Sequence, residues 1–459
     1  MELVEQARTK AFGVLDSLKV KMFMSPPPPP PPENDFPYLK GILGFIVLMF
    51  LVNSWLELRQ LKQLIKKRPP KEMEALVGSD EFKATRAYGL DKWYFGFLSS
   101  TVDTAESVAF LALGGLHSLW TYSTDLNEKL PFSWDHEIQS SILFTLVYAL
   151  ATTITSQPFS LYGTFVLEEK HGFNKSTLKL YLTDLLKGAG LLLVLAPPLI
   201  AAIVKILRIA GPYVALYLWG FILVFNLFFM MIYPNVIAPL FNKYSPLEEG
   251  RLKKKIESLA EKQKFPLKKL FVVDNSKRSK HSNAYMYGLG REKRIVLFDT
   301  LLKQCTEDEI VAVLAHELGH WKLSHTPILF CASMTVLLLQ LLTYTFCTNS
   351  TGLFESFGFK DHDARPHLIG LILFQYLMNP VDVVISFLFN MLSRKFEFQA
   401  DRFGVEQGFG TELKTGLIVL HKENKSSFNL DRLYSIFHFS HPPLIERLRA
   451  IDAESKKLK

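Results

Sequence analysis

Residues 306–325 read TEDEIVAVLAHELGHWKLSH, and the next twenty residues are mostly apolar and carry no charged side chain. Thr306 stands as an N-cap with Glu309 three residues on, a capping box, so the pattern predicts a helix over 307–325. His316 and His320 are one turn apart on one face of that helix. Both imidazoles can therefore reach one zinc ion at roughly 2.0–2.1 Å. Glu317 lies on the adjacent face, where a carboxylate can take a proton from a metal-activated water without ligating the metal. Val311 to Ala315, immediately before the pair, are all apolar. Imidazoles beginning where a helix is otherwise apolar need a partner, and a metal supplies one. The alternative is a purely structural pair, because H-E-x-x-H also occurs without metal.

Outward from this helix the chain reads as membrane protein. It has 459 residues, 49% of them hydrophobic, 37 Phe and a formal net charge of +8, with a mean hydropathy of +0.15. That combination is unusual for a soluble domain. The basic residues sit beside apolar stretches rather than in a readable binding fold, which argues against nucleic acid as a partner. Cys305, Cys331 and Cys347 form no C-x-x-C pair, so neither a disulfide framework nor a thiolate metal site is expected. Met1 to Lys21 lacks the apolar core of a cleavable signal. Pro26 to Pro32 then forms a stiff, extended spacer.

Seven stretches approach the ~20 residues needed to span a bilayer. They are Tyr38–Leu56, Phe95–Trp120, Ile138–Leu161, Gly188–Val204, Tyr213–Tyr233, Pro327–Phe346 and His367–Leu392. Asp103 and Glu106 interrupt the second, either lining a polar chamber or marking a later start. Nine Lys or Arg follow the first span and only Lys129 follows the second. This alternation continues, predicting a luminal N-terminus, a cytosolic C-terminus and a cytosolic polar interval from Ile237 to His325. Within that interval Glu248–Lys264 has helical periodicity, while Leu270–Val273 and Arg294–Phe298 read as strands.

A catalytic zinc commonly takes three protein ligands and keeps one position open. Spans six and seven form a hairpin that returns Ser393–Asp401 to the membrane face carrying the histidines. Glu397 is thereby the expected third ligand, and Asp401, one turn on, could fix a histidine tautomer by accepting its hydrogen bond. Alternatively both acids pair with Arg394 and Lys395 on a solvated face. His325 is expected to point away from the histidine pair as a boundary residue. Asn283 and Tyr285 could contact a peptide added at a sheet edge, or belong to an ordinary hairpin. His441, fixed before Pro442-Pro443, could stabilise an oxyanion, and Arg447 could grip a substrate carboxylate in a fork. A structural helix start explains the same residues equally well.

Six motifs in order carry a family resemblance: Glu168–Asn174 (EEKHGFN), Ile237–Phe241 (IAPLF), Ser282–Tyr285 (SNAY), His316–Trp321 (HELGHW), Phe396–Asp401 (FEFQAD) and Ser440–Pro443 (SHPP). The chain resembles the zinc-dependent integral-membrane CAAX prenyl endopeptidases of type I, from about Tyr38 to Asp452. The resemblance implies a mainly α membrane protein, with about seven transmembrane helices around a chamber and a cytosolic-side zinc-protease domain containing a small β-sheet. It implies one zinc ion on His316, His320 and Glu397, Glu317 as base, and Asn283, His441 and Arg447 as active-site contacts. Its expected substrates are isoprenylated CAAX proteins, cut to release the last three residues. An apolar enclosure would suit the isoprenyl chain. Membrane lipid is the other expected partner. The expected division is an N-terminal extension (1–37), five membrane helices with loops (38–236), the zinc-protease domain (237–326), two further membrane helices (327–392) and a C-terminal region completing the site (393–459). Lys456-Lys457-Leu458-Lys459 fits a dilysine retrieval signal, or equally a merely charged tail; the expected location is the endoplasmic reticulum membrane, together with the nuclear membrane. A membrane quality-control metalloprotease, and a scaffold or transporter with a structural metal, are the competing readings.

Overall fold

The computed structural model describes residues 36–131, 134–288, 290, 292–360 and 365–458. The expected N-terminal extension and its proline spacer lie outside these, apart from Phe36 and Pro37.

Long helices dominate: α1 (Tyr38–Leu64), α2 (Ser79–Ala112), α3 (Gly115–Glu128), α4 (His136–Tyr162), α5 (Leu178–Ile209) and α6 (Val214–Ile232). Helix α7 (Arg251–Lys262) belongs to a small sheet domain, after which come α8 (Glu307–Lys322), α9 (His325–Thr348), α10 (His367–Glu406), α11 (Gly410–Glu423), α12 (Arg432–His438) and α13 (Leu444–Lys457). Among the described residues six helices are long and apolar enough to cross a membrane, and all six coincide with expected spans. The expected second span, Phe95–Trp120, differs. Gly114 adopts φ 71° and divides it between α2 and α3, a left-handed step that glycine takes without a Cβ clash. Asp103 and Glu106 are exposed on α2. At 1.5 Å per residue this helix is roughly 50 Å long, enough to span despite its lower apolarity.

Two expected boundaries move. The fifth membrane helix runs on through wider π-type turns at Tyr233–Ile237 and ends at Phe241. The last one does not stop at Leu392: α10 is a single helix of 40 residues. Its apolar stretch and the polar Ser393–Asp401 stretch share one uninterrupted backbone ladder, which a hydropathy boundary cannot register.

At the end of the bundle away from the sheet, Asp135 caps α4 through the Ile138 amide and receives Arg208 of α5. Glu137 accepts from both the backbone and the ring of His367 at the start of α10. These bonds tie three helices where a cluster including Ile42, Leu111, Phe144 and Leu373 is buried.

The sheet has the order β1-β2-β4-β3, with β1 (Tyr244–Pro246), β2 (Leu267–Val273), β3 (Ala284–Tyr287) and β4 (Lys293–Phe298). Strands β2 and β4 run parallel, and the outer pairs are antiparallel. Sequence periodicity found β4 and most of β2, but β1 and β3 are too short to leave a period. Ile256 and Leu259 of α7, Ile295 and Leu297 of β4, and Ile310, Leu314 and Leu318 of α8 form one buried core. Burial of each such side chain contributes about 1.5–3 kcal/mol, so the helix bearing the histidines is seated firmly. Arg278 clamps this domain to the bundle: it bonds Asp184 on α5 through Nε and Nη2, Asn242 through Nη1, and the Phe241 carbonyl through Nη2 as well.

Candidate metal centre

Helix α8 begins as expected, with the Thr306 hydroxyl accepting from the Glu309 amide and the Glu309 carboxylate accepting from the Thr306 amide. It lies directly against α10, and Gly319 makes that approach possible. A Cβ on Gly319 would stand 3.1 Å from both Ala400 Cα and Phe403 Cβ. A larger residue at position 319 would force the two helices to give way.

The close crossing brings Glu397 to the histidines. His316 Nε2 and His320 Nε2 are 3.2 Å apart. Glu397 Oε1 is 3.2 Å from His320 Nε2, and Glu397 Oε2 is 3.6 Å from His316 Nε2. Among the described residues these three form the one group of His, Cys, Asp or Glu donors close enough to hold a metal. Ligands about 2.05 Å from a tetrahedral ion stand roughly 3.3 Å from one another, so the spacing fits. A further observation agrees with it: Glu397 Oε2 is buried without a hydrogen-bond partner.

Each histidine has a separate anchor. Asp401 Oδ1 lies 2.9 Å from His316 Nδ1, with the Asp401 side chain 1% exposed. This hydrogen bond places the proton on Nδ1 and leaves Nε2 as the free acceptor. Arg447 of α13 completes the arrangement, donating from Nε at 2.8 Å and Nη2 at 2.6 Å to Asp401. Its Nη1 lies 3.4 Å from Glu397 Oε2. Burial disfavours the Arg447 charge, but Asp401 and Glu397 more than offset this and hold its pKa above the ordinary value. The fork expected for a substrate carboxylate is thus engaged by Asp401.

The pairing of Glu397 and Asp401 with Arg394 and Lys395 is not what forms. Arg394 donates instead to Ser435, to the His441 carbonyl and to Glu446. It thereby fixes the loop before α13. His441 in that loop is 67% exposed, yet its Nε2 reaches 3.3 Å from Glu397 Oε1. It stands on the open side of the cluster. A cavity of about 700 Å³ is lined by His441, Tyr434 and His438 on one side and Tyr88, Trp93 and Phe97 of α2 on the other.

Glu317 is half-buried on α8 and close enough to Arg447 to bear on its charge. Asn283 is exposed immediately before β3, its side-chain oxygen accepting from the Ala284 amide. The hydroxyl of Tyr285 on β3 meets that of Tyr244 at 3.1 Å. Strand β3 pairs only with β4 among the described strands, so its other edge is open.

One expectation is overturned. His325 does not point away from the site: it is 2% exposed, with Nδ1 3.0 Å from His320 Nδ1. The sequence reading carried the helix through to His325, but α8 ends at Lys322 and Ser324 takes φ 58°. That left-handed step swings the chain back. No periodicity signals it, because serine is not the residue expected at positive φ.

Comparisons with known proteins bear on the chain as a whole. The family model described as "CAAX prenyl protease N-terminal, five membrane helices" matches residues 60–243, and that described as "Peptidase family M48" matches residues 246–455. A protein of Arabidopsis thaliana named CAAX prenyl protease 1 homolog is 49% identical, over 92% of this chain and 99% of its own. The Homo sapiens protein of the same name is 38% identical, over 91% and 96% respectively. The crystal structure of S. mikatae Ste24p matches with a TM-score of 0.85 at 36% identity, covering 90% of this chain and 99% of that one.

Proposed function

The chain belongs to the CAAX prenyl proteases of peptidase family M48, and from that premise we propose that it is a zinc endopeptidase acting on isoprenylated CAAX proteins. It removes the C-terminal tripeptide that follows the isoprenylated cysteine. The observation that supports this most directly is the trio of His316, His320 and Glu397, with donor atoms 3.2–3.6 Å apart. Two histidines and one carboxylate, with an open side, are the donor set of a catalytic zinc rather than of a closed structural one. Held there, the ion would polarise the scissile carbonyl and make a water acidic near neutral pH.

The protein's own groups have the following roles. Glu317 takes the proton of the attacking water and returns it to the leaving amine. His441, on the open side, donates to the carbonyl oxygen as that oxygen gains charge. Asp401 holds His316, and Arg447 holds Asp401 while keeping a positive charge beside Glu397 and the substrate. The peptide lies extended along the free edge of β3, with Asn283 and Tyr285 beside it. The cavity between His441 and α2 lies next to the scissile bond and receives part of the substrate.

The chain is multi-pass, and with α2 as a seventh crossing the N-terminus is luminal and the zinc-protease region and C-terminus are cytosolic. The endoplasmic reticulum membrane, with the continuous nuclear membrane, is its location. We keep the division of the chain into membrane bundle, zinc-protease domain, helical hairpin and C-terminal region, with the first boundary set at Phe241.

Cleavage of a farnesylated CAAX peptide by detergent-purified protein tests the reading. Wild type should release the tripeptide, and Glu317→Gln should lose roughly 10²–10⁴-fold in rate while retaining one zinc per chain by elemental analysis. Wild type that holds zinc but cuts no prenylated peptide would sink it.

A further inference from the structure

We infer that His325 is a positioning residue of the metal centre, holding the Nδ1–H of His320 so that the Nε2 of His320 faces the ion. The inference rests on the reading of His316, His320 and Glu397 as metal ligands.

Protons along the chain His320–His325–Gln399 can be assigned in only one consistent way. His320 Nε2 lies 3.2 Å from both His316 Nε2 and Glu397 Oε1. A lone pair directed at a metal must be free there, so the single proton of neutral His320 sits on Nδ1. That nitrogen is 3.0 Å from His325 Nδ1, which must therefore accept. The proton of His325 then belongs on Nε2, which is 3.1 Å from Gln399 Oε1. Gln399, an acceptor at that oxygen, ends the relay.

Packing holds the relay in place. The His325 ring stacks on Phe396 with centroids 4.1 Å apart and planes 5° from parallel, and it meets the His320 ring edge-on at 77°. Phe396, Glu397, Gln399 and Asp401 all come from one stretch of α10. The same helical turns therefore supply a ligand, the anchor of His316 and the anchor of His325. The two anchors are unlike. His316 is held by an ionised carboxylate braced by Arg447, whereas His320 is held by a neutral ring that ends in an amide. Partners of this kind fix the orientation of a ligating imidazole and its basicity.

Zinc affinity, measured by chelator competition in detergent, tests the assignment, together with the visible spectrum of the cobalt(II)-substituted protein. His325→Phe keeps the stack on Phe396 and removes the acceptor. It should weaken zinc binding about 10–100-fold and alter the cobalt spectrum. Gln399→Leu, approaching from the other end, should weaken binding in the same direction. His325→Asn places an acceptor at the position of Nδ1 and should restore most of the affinity. Unchanged affinity and spectrum in His325→Phe and Gln399→Leu, with melting temperatures like wild type, would overturn the inference alone. A loss that His325→Asn does not restore would also overturn it. Wild type without zinc would overturn the metal-site reading beneath it.

Discussion

Asp401 has two partners at once, the imidazole of His316 and the guanidinium of Arg447, and its side chain is 1% exposed. Removing its charge leaves Arg447 buried without its bidentate partner. Breaking a buried pair from one side costs about 3–5 kcal/mol. Asp401→Asn should therefore lower the melting temperature in detergent and weaken zinc binding together. An unchanged melting temperature would show that Glu397, 3.4 Å from Arg447 Nη1, compensates by itself. At this scale the sequence was most informative where chemistry and spacing coincide. His316, Glu317 and His320 could be named from one helical turn. Arg447 could be named but not placed, because its fork is committed to an acid 46 residues away in sequence.

Between elements, the decisive feature is the junction of α8 and α9. Ser324 at φ 58° occupies a region that costs a non-glycine residue of order 1–3 kcal/mol, and it is the step that returns His325 to the site. Ser324→Gly should preserve the turn and leave or raise thermal stability. Ser324→Pro, whose φ is fixed near −65°, should displace His325 and release zinc more readily, measured by the rate of metal loss to a chelator. Equal zinc retention by the two variants would rule out a role for this turn in the centre. Helix existence here was legible from the capping box and apolar period. Its end was not read from the apolar period, although Pro327, which cannot donate to the Leu323 carbonyl, is compatible with a stop before it.

For the whole molecule, the parity of crossings governs which side of the membrane carries the chemistry. Among the described residues six helices are apolar enough to cross, and α2, with exposed Asp103 and Glu106, falls short by composition but is the crossing that the proposed orientation requires by parity. Glycosylation acceptor sites inserted after α3 and in the loop before α10 should be modified, while sites between α4 and α5 or beyond α13 should stay bare. Modification beyond α13 would reverse the proposed orientation.

What the sequence determined by itself is what local chemistry and periodicity encode: the apolar lengths that make membrane helices, the basic bias of alternate loops, the capped helix and the two histidines one turn apart. Even the third donor could be inferred, since a hairpin of two spans must return to the membrane face it left. Only the tertiary structure decided which side chains meet. Gly319 allows α8 and α10 to touch, α10 continues unbroken past Leu392 so that its acids hold a fixed register against α8, and Ser324 turns His325 inward. Each of these depends on contact between residues distant in sequence or on a single backbone angle, and neither leaves a period or a composition that can be read along the chain.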